Sequence, residues 1–259
     1  MDFISLLGFA GAILMGIVLG ALGGGGAILS VPILVAAFGF EMKEAAVASY
    51  FILLFSAGVG IWKNRHDIEL QKALWFSVIS LITLGLLRTF VVHQIPDEIK
   101  LGGHLFTSHQ LLLGLLVMVI LAVAISMLRK KKEANGGQVA LIGNSLLVGT
   151  LGALVGAGGG FLIVPALLGQ KGMTMKRATA TSFVVIGANA VTGILSSWNK
   201  AADLNWQVLT PFIAIGVFGV FLGGLVAKRT DNQKLKNAFI VLLFAVAIGT
   251  ITQELLIHS

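Results

Sequence analysis

Hydrophobic runs at about 3–22, 27–38, 45–62, 73–92, 109–128, 138–155, 160–169, 178–196, 206–227 and 237–257 occupy most of this chain. A run of ~18 or more apolar residues is long enough to cross a bilayer as a helix. Of the 259 residues, 57% are hydrophobic and only 11% are charged. Mean hydropathy is +0.97. Soluble domains carry about 25% charged residues, so the charges here are too few to cover a water-exposed surface. The pattern excludes a soluble enzyme, a nucleic-acid binder and a disordered regulator, and points to a polytopic membrane protein. The formal charge of +7 then reports cytoplasmic loops rich in Lys and Arg, not a nucleic-acid surface. Cysteine is absent, which removes disulfides, thiolate metal sites and thiol nucleophiles. No cofactor is implied. The opening residues Met1-Asp2-Phe3-Ile4 lack a basic n-region and read as the start of a retained helix.

Two runs, 27–38 and 160–169, are too short to span; at 1.5 Å per residue they cover only ~15–18 Å. Each follows a glycine cluster, Gly23-Gly24-Gly25-Gly26 in one case and Gly156-Ala157-Gly158-Gly159-Gly160 in the other. The charged stretch at 129–137 divides the chain into a first membrane repeat, 1–128, and a second, 138–259. Slid by 133 residues without a gap, the halves agree. Gly16 meets Gly149, Gly23 meets Gly156, and Val31-Pro32 meets Val164-Pro165. Met42-Lys43, Ser49 and Gly60-Ile61 meet Met175-Lys176, Ser182 and Gly193-Ile194. Duplicated membrane proteins are usually transporters, with the substrate site at the repeat interface.

Backbone at a helix break cannot face lipid unpaired. A short helix starting at Ala27 or Phe161 would present free N–H groups and the positive end of its dipole. Two such ends would form an anion site without a charged side chain. The competing reading is close Gly-xxx-Gly helix packing. Packing alone does not need consecutive glycines, each of which weakens a helix by ~1 kcal/mol relative to Ala.

The two copies read GALGGGGAILSVPIL and GALVGAGGGFLIVPALL, and the second is followed by MKRATATSF at 175–183. In this motif, and in its length, duplication and basic central linker, the chain resembles the TauE/SafE sulfite-exporter family, also called the toluene-sulfonate uptake permeases. The resemblance implies a multi-pass protein of a bacterial-type cytoplasmic membrane. It also implies a cargo such as sulfite, a sulfonate, sulfoacetate or another small anion.

The positive-inside rule separates two topologies. If each glycine motif makes a hairpin, and the central linker is inside, then Lys63, Arg65, Lys72, Lys171, Lys176, Arg177 and the cations at 228–236 are inside too. Only Lys43, Lys100 and Lys200 fall outside. If each motif is a single crossing, the basic residues divide almost evenly. The hairpin arrangement is therefore expected. The fold is all-α, with two inverted-topology repeats, each a Gly-rich broken helix or hairpin followed by three transmembrane helices.

The acidic residues and histidines all fall in loops or near helix ends, which argues against a buried carboxylate proton carrier. Any coupling is left to a titrating cargo or to Glu41 or Glu44, or is absent. The substrate site is placed on Gly23, Gly24, Gly25, Gly26, Gly156, Gly158, Gly159 and Gly160, flanked by Ser49, Ser182 and Asn189. Asn189 is the costliest of these side chains to bury without a contact. Arg88, inside an apolar run, reads either as a capture cation or as a residue snorkelling to head groups, and the second is preferred. Lys43 and Lys176 are expected at the two vestibules, as anion attractors or interfacial anchors.

The reading is a secondary transporter of a small organic or sulfur-containing anion working by alternating access. A passive anion channel with the same dipole-lined site is the alternative. An enzyme is not expected, because no Ser is paired with a positioned His and no carboxylates are paired in the membrane. The partners are the anion and the lipid bilayer, with no nucleic acid; a homodimer stays open beside a monomer. Tags at the two termini should both report the outer side. A cytoplasmic C-terminus with an outer N-terminus would sink this topology.

Overall fold

The computed structural model describes residues 3–90, 98–101, 104–128, 137–155 and 160–257. It is built from helices: α1 (Phe3–Leu22), α2 (Ser30–Phe38), α3 (Met42–Asn64), α4 (Leu70–Phe90), α5 (Ser108–Leu128), α6 (Gln138–Val155), α7 (Gly160–Leu168), α8 (Met175–Ser196), the short α9 (Trp198–Ala201), α10 (Trp206–Arg229) and α11 (Asn232–Ile257). Among the described residues, five helices are long and apolar enough to cross a membrane, and shorter apolar helices accompany them. Large apolar side chains such as Trp62, Trp75, Leu195 and Val241 are exposed on the outside, as lipid contact requires.

Two local features depart from the sequence reading. The chain does not reopen as an α-helix at Ala27. Gly23–Leu29 is a 3-10 helix that leads into α2 at Ser30. The tighter 3-10 coil is thinner, and glycine lets it pass close to other backbone. Between α4 and α5, two short strands, β1 (Glu98–Leu101) and β2 (His104–Thr107), pair antiparallel with Glu98 opposite Thr107. This ribbon sits in the polar connection that sequence treated as loop.

The first glycine motif makes a helical hairpin. Gly8 lies against Phe38, Gly11 against Ile33 and Gly26 against Leu19, so the returning arm runs antiparallel to α1. The 3-10 segment rises ~2.0 Å per residue and α2 rises ~1.5 Å. Together they bring Phe38 back to within a turn or two of the start of α1. In the second half, the Asn144 side-chain amide on α6 donates to the Ala166 carbonyl on α7 at 3.0 Å. That contact again sets a short helix beside the one before it.

The same corner follows each hairpin. Gly39 ends α2 at φ 69°, and Gly172 follows α7 at φ 75°. Both are in the left-handed region that glycine enters without Cβ strain. Glu41 then caps α3 with a capping box to Glu44, and the Thr174 hydroxyl caps α8 by accepting from the Arg177 N–H at 3.3 Å. Both pairs stand at the 133-residue offset.

Helices of one half pack mainly on helices of the other. α1 lies against α10, α3 against α8, α4 against α6, and α5 against α11. Gly60 faces Phe183, Ala57 faces Gly187 and Gly193 faces Tyr50, so α3 and α8 run antiparallel. α1 and α10 approach through glycines: Gly16 meets the Gly216 backbone, Gly20 the Val220 backbone, and Gly223 the Ile17 backbone. One end of the bundle gathers the basic residues. Lys72 donates to the Lys171 carbonyl at 3.1 Å, Arg177 pairs with Glu69 at 3.3 Å, and Lys176 reaches the Lys228 carbonyl at 3.2 Å. Lys63 donates to the Phe221 carbonyl and stands over the Phe221 ring. Residues that a single-crossing arrangement would send to opposite faces are therefore neighbours.

A side chain at Gly20 would overlap the Val220 carbonyl, whereas nothing lies within 4 Å of a Cβ at Gly58. Gly20→Val should cost about 1–3 kcal/mol or more by forcing α1 from α10. Gly58→Ala should hold or gain up to about 1 kcal/mol. Thermal unfolding in detergent reads both; equal midpoints for the two variants would contradict this packing.

Candidate functional site

The two glycine segments meet. A Cβ on Gly24 would overlap the carbonyl oxygen of Gly160, and one on Gly160 would lie 3.3 Å from Ala27 and 3.6 Å from the Gly24 oxygen. Gly23 sits at φ 74°. A Cβ there would fall 2.6 Å from Ser182 Oγ, 3.1 Å from Val164 and 3.3 Å from the Thr179 backbone. The tip of the first hairpin therefore rests on α7 and α8, close to the middle of α8. Glycine is needed twice over here, for a left-handed turn and for backbone contact without intervening Cβ atoms.

Of the sequence-predicted residues, the structure brings Gly23, Gly24, Gly160 and Ser182 into one place. Gly25 and Gly26 belong to the same 3-10 segment, with Gly26 turned onto the Leu19 backbone. Gly160 opens α7 and is buried. Gly156, Gly158 and Gly159 lie outside the described residues. So do the side chains of Arg88, on α4, and Lys43, on α3.

Ser49 and Ser182 occupy equivalent positions and behave alike. Ser49 donates to the Ala46 carbonyl at 2.7 Å, and Ser182 to the Thr179 carbonyl at 2.8 Å. Each hydroxyl hydrogen is thus held by its own helix. Ser80, Thr83, Ser145, Thr192 and Ser196 also return their hydroxyls to their own helices.

Against that background, a few buried polar atoms lack a partner: Ser56 Oγ, Ser77 Oγ, Thr179 Oγ1 and Asn189 Oδ1. Ser56 is fully buried, and Thr179 nearly so. An unsatisfied buried polar group costs about 1–3 kcal/mol and calls for an explanation. Thr179, Ser182 and Asn189 fall at steps of three and seven residues, which places them on one face of α8. That face carries Gly23. Ser56 and Asn189 are separated by the same 133 residues that relate the halves. They stand beside the Ala57–Gly187 contact at which α3 and α8 cross. Sequence reasoning did not select Ser56 or Thr179. The offset from Asn189 was the signal that could have singled out Ser56.

The segments that form and adjoin the turns carry no formal charge. Residues 3–40, 45–62, 134–170 and 178–199 contain no Asp, Glu, Lys, Arg or His. Among the described residues, no cluster of three or more metal-ligating side chains occurs. The polar functions within reach are backbone groups at the glycine turns, hydroxyls and one carboxamide.

Comparison with known proteins finds relatives along most of the chain. Residues 8–250 match the family described as Sulfite exporter TauE/SafE. A probable membrane transporter protein of Xylella fastidiosa (strain Temecula1) is 29% identical over 245 residues, covering 92% of this chain and 91% of that protein. Its counterpart in strain 9a5c is 28% identical over 256 residues, with the same coverage. A probable membrane transporter protein of Methanocaldococcus jannaschii is 37% identical over 108 residues, or 39% of this chain and 40% of that protein. No solved structure matches the chain.

The two meeting glycines differ in what they tolerate. Gly24→Ala should drive the hairpin tip off α7 and lower the unfolding midpoint. Gly160→Ala has only the Ala27 methyl to displace slightly and should retain it. Thermal unfolding of the two variants in detergent checks this, and a Gly24→Ala protein matching the wild type would refute the contact.

Proposed function

The chain belongs to the sulfite exporter TauE/SafE family of membrane transporters, and from that premise we propose that it is a secondary transporter of a small sulfur-containing or organic anion. The observation that carries this reading is the meeting of Gly24 with Gly160, each from its own glycine motif. Short helices that start inside a bilayer protein aim N–H groups and the positive dipole end at whatever lies before them. An anion deep in the membrane needs such compensation, since a bare charge there costs several kcal/mol or more.

Alternating access asks for two gates related across the site. The repeated Gly39/Gly172 corners, the Glu41/Thr174 caps and the antiparallel α3–α8 pair support two inverted repeats. The basic end, with Lys63, Lys72, Lys171, Lys176 and Lys228, is then the cytoplasmic face under the positive-inside rule. The membrane is the cytoplasmic one in this reading. The protein performs no covalent chemistry on its cargo; binding and conformational exchange are the whole cycle.

Purified protein in liposomes should take up sulfite, or a sulfonate or carboxylate of similar size, with saturable kinetics. Unlabelled anion trapped inside should accelerate that uptake. Flux that stays linear with concentration and ignores trapped anion would replace alternating access with a channel. An absence of anion flux across the whole panel would end the proposal.

A further inference from the structure

We infer that α10 and the end of α3 form a binding site for an anionic phospholipid, with its phosphate between Lys63 and Lys228 and its acyl chains along Phe221 and Leu225. The inference draws on neither the glycine turns nor the transport cycle.

The sequence of α10 sets a stripe. Phe218, Phe221, Leu225 and Lys228 follow at steps of three, four and three residues, so they share one face of the helix. All four are exposed. The opposite face, with Gly219 and Gly223, packs on α1. In a membrane protein an exposed apolar stripe of this kind meets acyl chains. It ends at Lys228, in the last turn of α10, at the end of the bundle where the basic residues gather.

Lys63 reaches this stripe from α3. Its stem lies over Gly224, where a Cβ would come within 3.0 Å of Cδ and 3.2 Å of Nζ. Its ammonium donates to the Phe221 carbonyl and stands 3.8 Å from the centre of the Phe221 ring. Lys228 is one turn beyond Gly224, near enough for the two charges to repel. Among the described residues, both ion pairs belong to Glu69, so neither Lys63 nor Lys228 has an acidic partner. An ammonium carries three N–H donors, and the Phe221 carbonyl takes one from Lys63. Two like charges side by side at the end of an apolar stripe call for a negative group between them. The neighbouring Trp62 is exposed, as aromatic residues at headgroup level are.

The occupant follows from both parts of the site. A free phosphate would satisfy the lysines and leave the stripe unused. A zwitterionic lipid brings its own cation to the phosphate. An anionic lipid supplies charge and chains together, and basic residues near a membrane surface attract such lipids by about 1 kcal/mol each.

The test uses full-length protein, delipidated in a neutral detergent, with thermal unfolding followed as each probe is titrated. Dioleoyl phosphatidylglycerol should raise the midpoint and saturate. Dioleoyl phosphatidylcholine, with the chains but no net charge, should not, and neither should glycerol 3-phosphate, with the charge but no chains. Lys63→Gln and Lys228→Gln should each weaken the phosphatidylglycerol response about fivefold in concentration, the worth of one basic residue. Lys171→Gln removes the same charge on the turn between α7 and α8 and should leave the response unchanged. If Lys63→Gln does not fold, Lys228→Gln decides alone. Equal stabilisation by phosphatidylcholine would overturn the part played by charge. Equal stabilisation by glycerol 3-phosphate would replace the lipid with a free anion and overturn the inference. A loss in Lys171→Gln matching that in the site variants would reduce the site to a general basic surface, and an unchanged response in Lys228→Gln would remove it.

Discussion

Every backbone polar group inside hydrocarbon must be satisfied by the protein itself, and the rest of this structure depends on how that is done where the chain reverses at Gly23. The chain turns back within the bundle at Gly23, where the backbone is left-handed and in contact with Thr179, Ser182 and Val164. A reversal of this kind exposes N–H and C=O groups that lipid cannot pair. The remedy is to bury this tip against α7 and α8 of the other half. Gly24 and Gly160 allow the approach because neither carries a Cβ. Larger residues at Gly24 would separate the tips and leave the turn in contact with lipid or an unfilled gap. The tips in turn require the helices around them to interlock, and so α1 packs on α10 and α6 on α4 across the halves.

That constraint also orders the charges. The segments that surround the reversals contain no ionisable residue, while the helix ends carry Lys63, Glu69, Lys72, Arg177 and Lys228. These end groups form exposed contacts: Glu69 with Lys72 at 3.9 Å, and with Arg177 at 3.3 Å. Exposed pairs of this sort contribute at most about 1 kcal/mol each. Their main effect is on orientation, through the bias of cations to one face. Stability resides in the apolar and glycine contacts, where Phe76, Phe183, Phe212 and Phe239 are fully buried.

Much of this was legible in the sequence because membrane helices obey a simple length rule and because the motif is written twice. The apolar runs at 3–22, 45–62, 178–196 and 206–227 correspond closely to α1, α3, α8 and α10. The charge bias selected the hairpin, and the α1–α2 contacts follow it. The 3-10 coil at Gly23–Leu29 was not legible, since glycine permits several backbone paths and tertiary contact chooses among them. The ribbon at Glu98–Leu101 and His104–Thr107 was missed for a similar reason: its short polar sequence carries no period. Among candidate site residues, sequence singled out the glycine motifs and Asn189. It could not show that Ser49 and Ser182 spend their hydroxyl hydrogens on their own helices while Ser56 and Thr179 do not. Rotamer choice is settled by packing, and sequence spacing is silent on it.

The proposed reliance on helix dipoles and neutral donors has a kinetic meaning as well as an electrostatic one. A transporter must release its cargo in every cycle. A buried Lys or Arg would hold an anion strongly, and on release would itself be left as an uncompensated buried charge, a state that costs several kcal/mol. Helix-end dipoles and neutral donors do not carry that penalty. When an anion leaves neutral donors of that kind, each loses one hydrogen bond, at a cost of about 1–3 kcal/mol. Unloading is thereby made affordable, and the loaded and empty states stay close enough in free energy to interconvert.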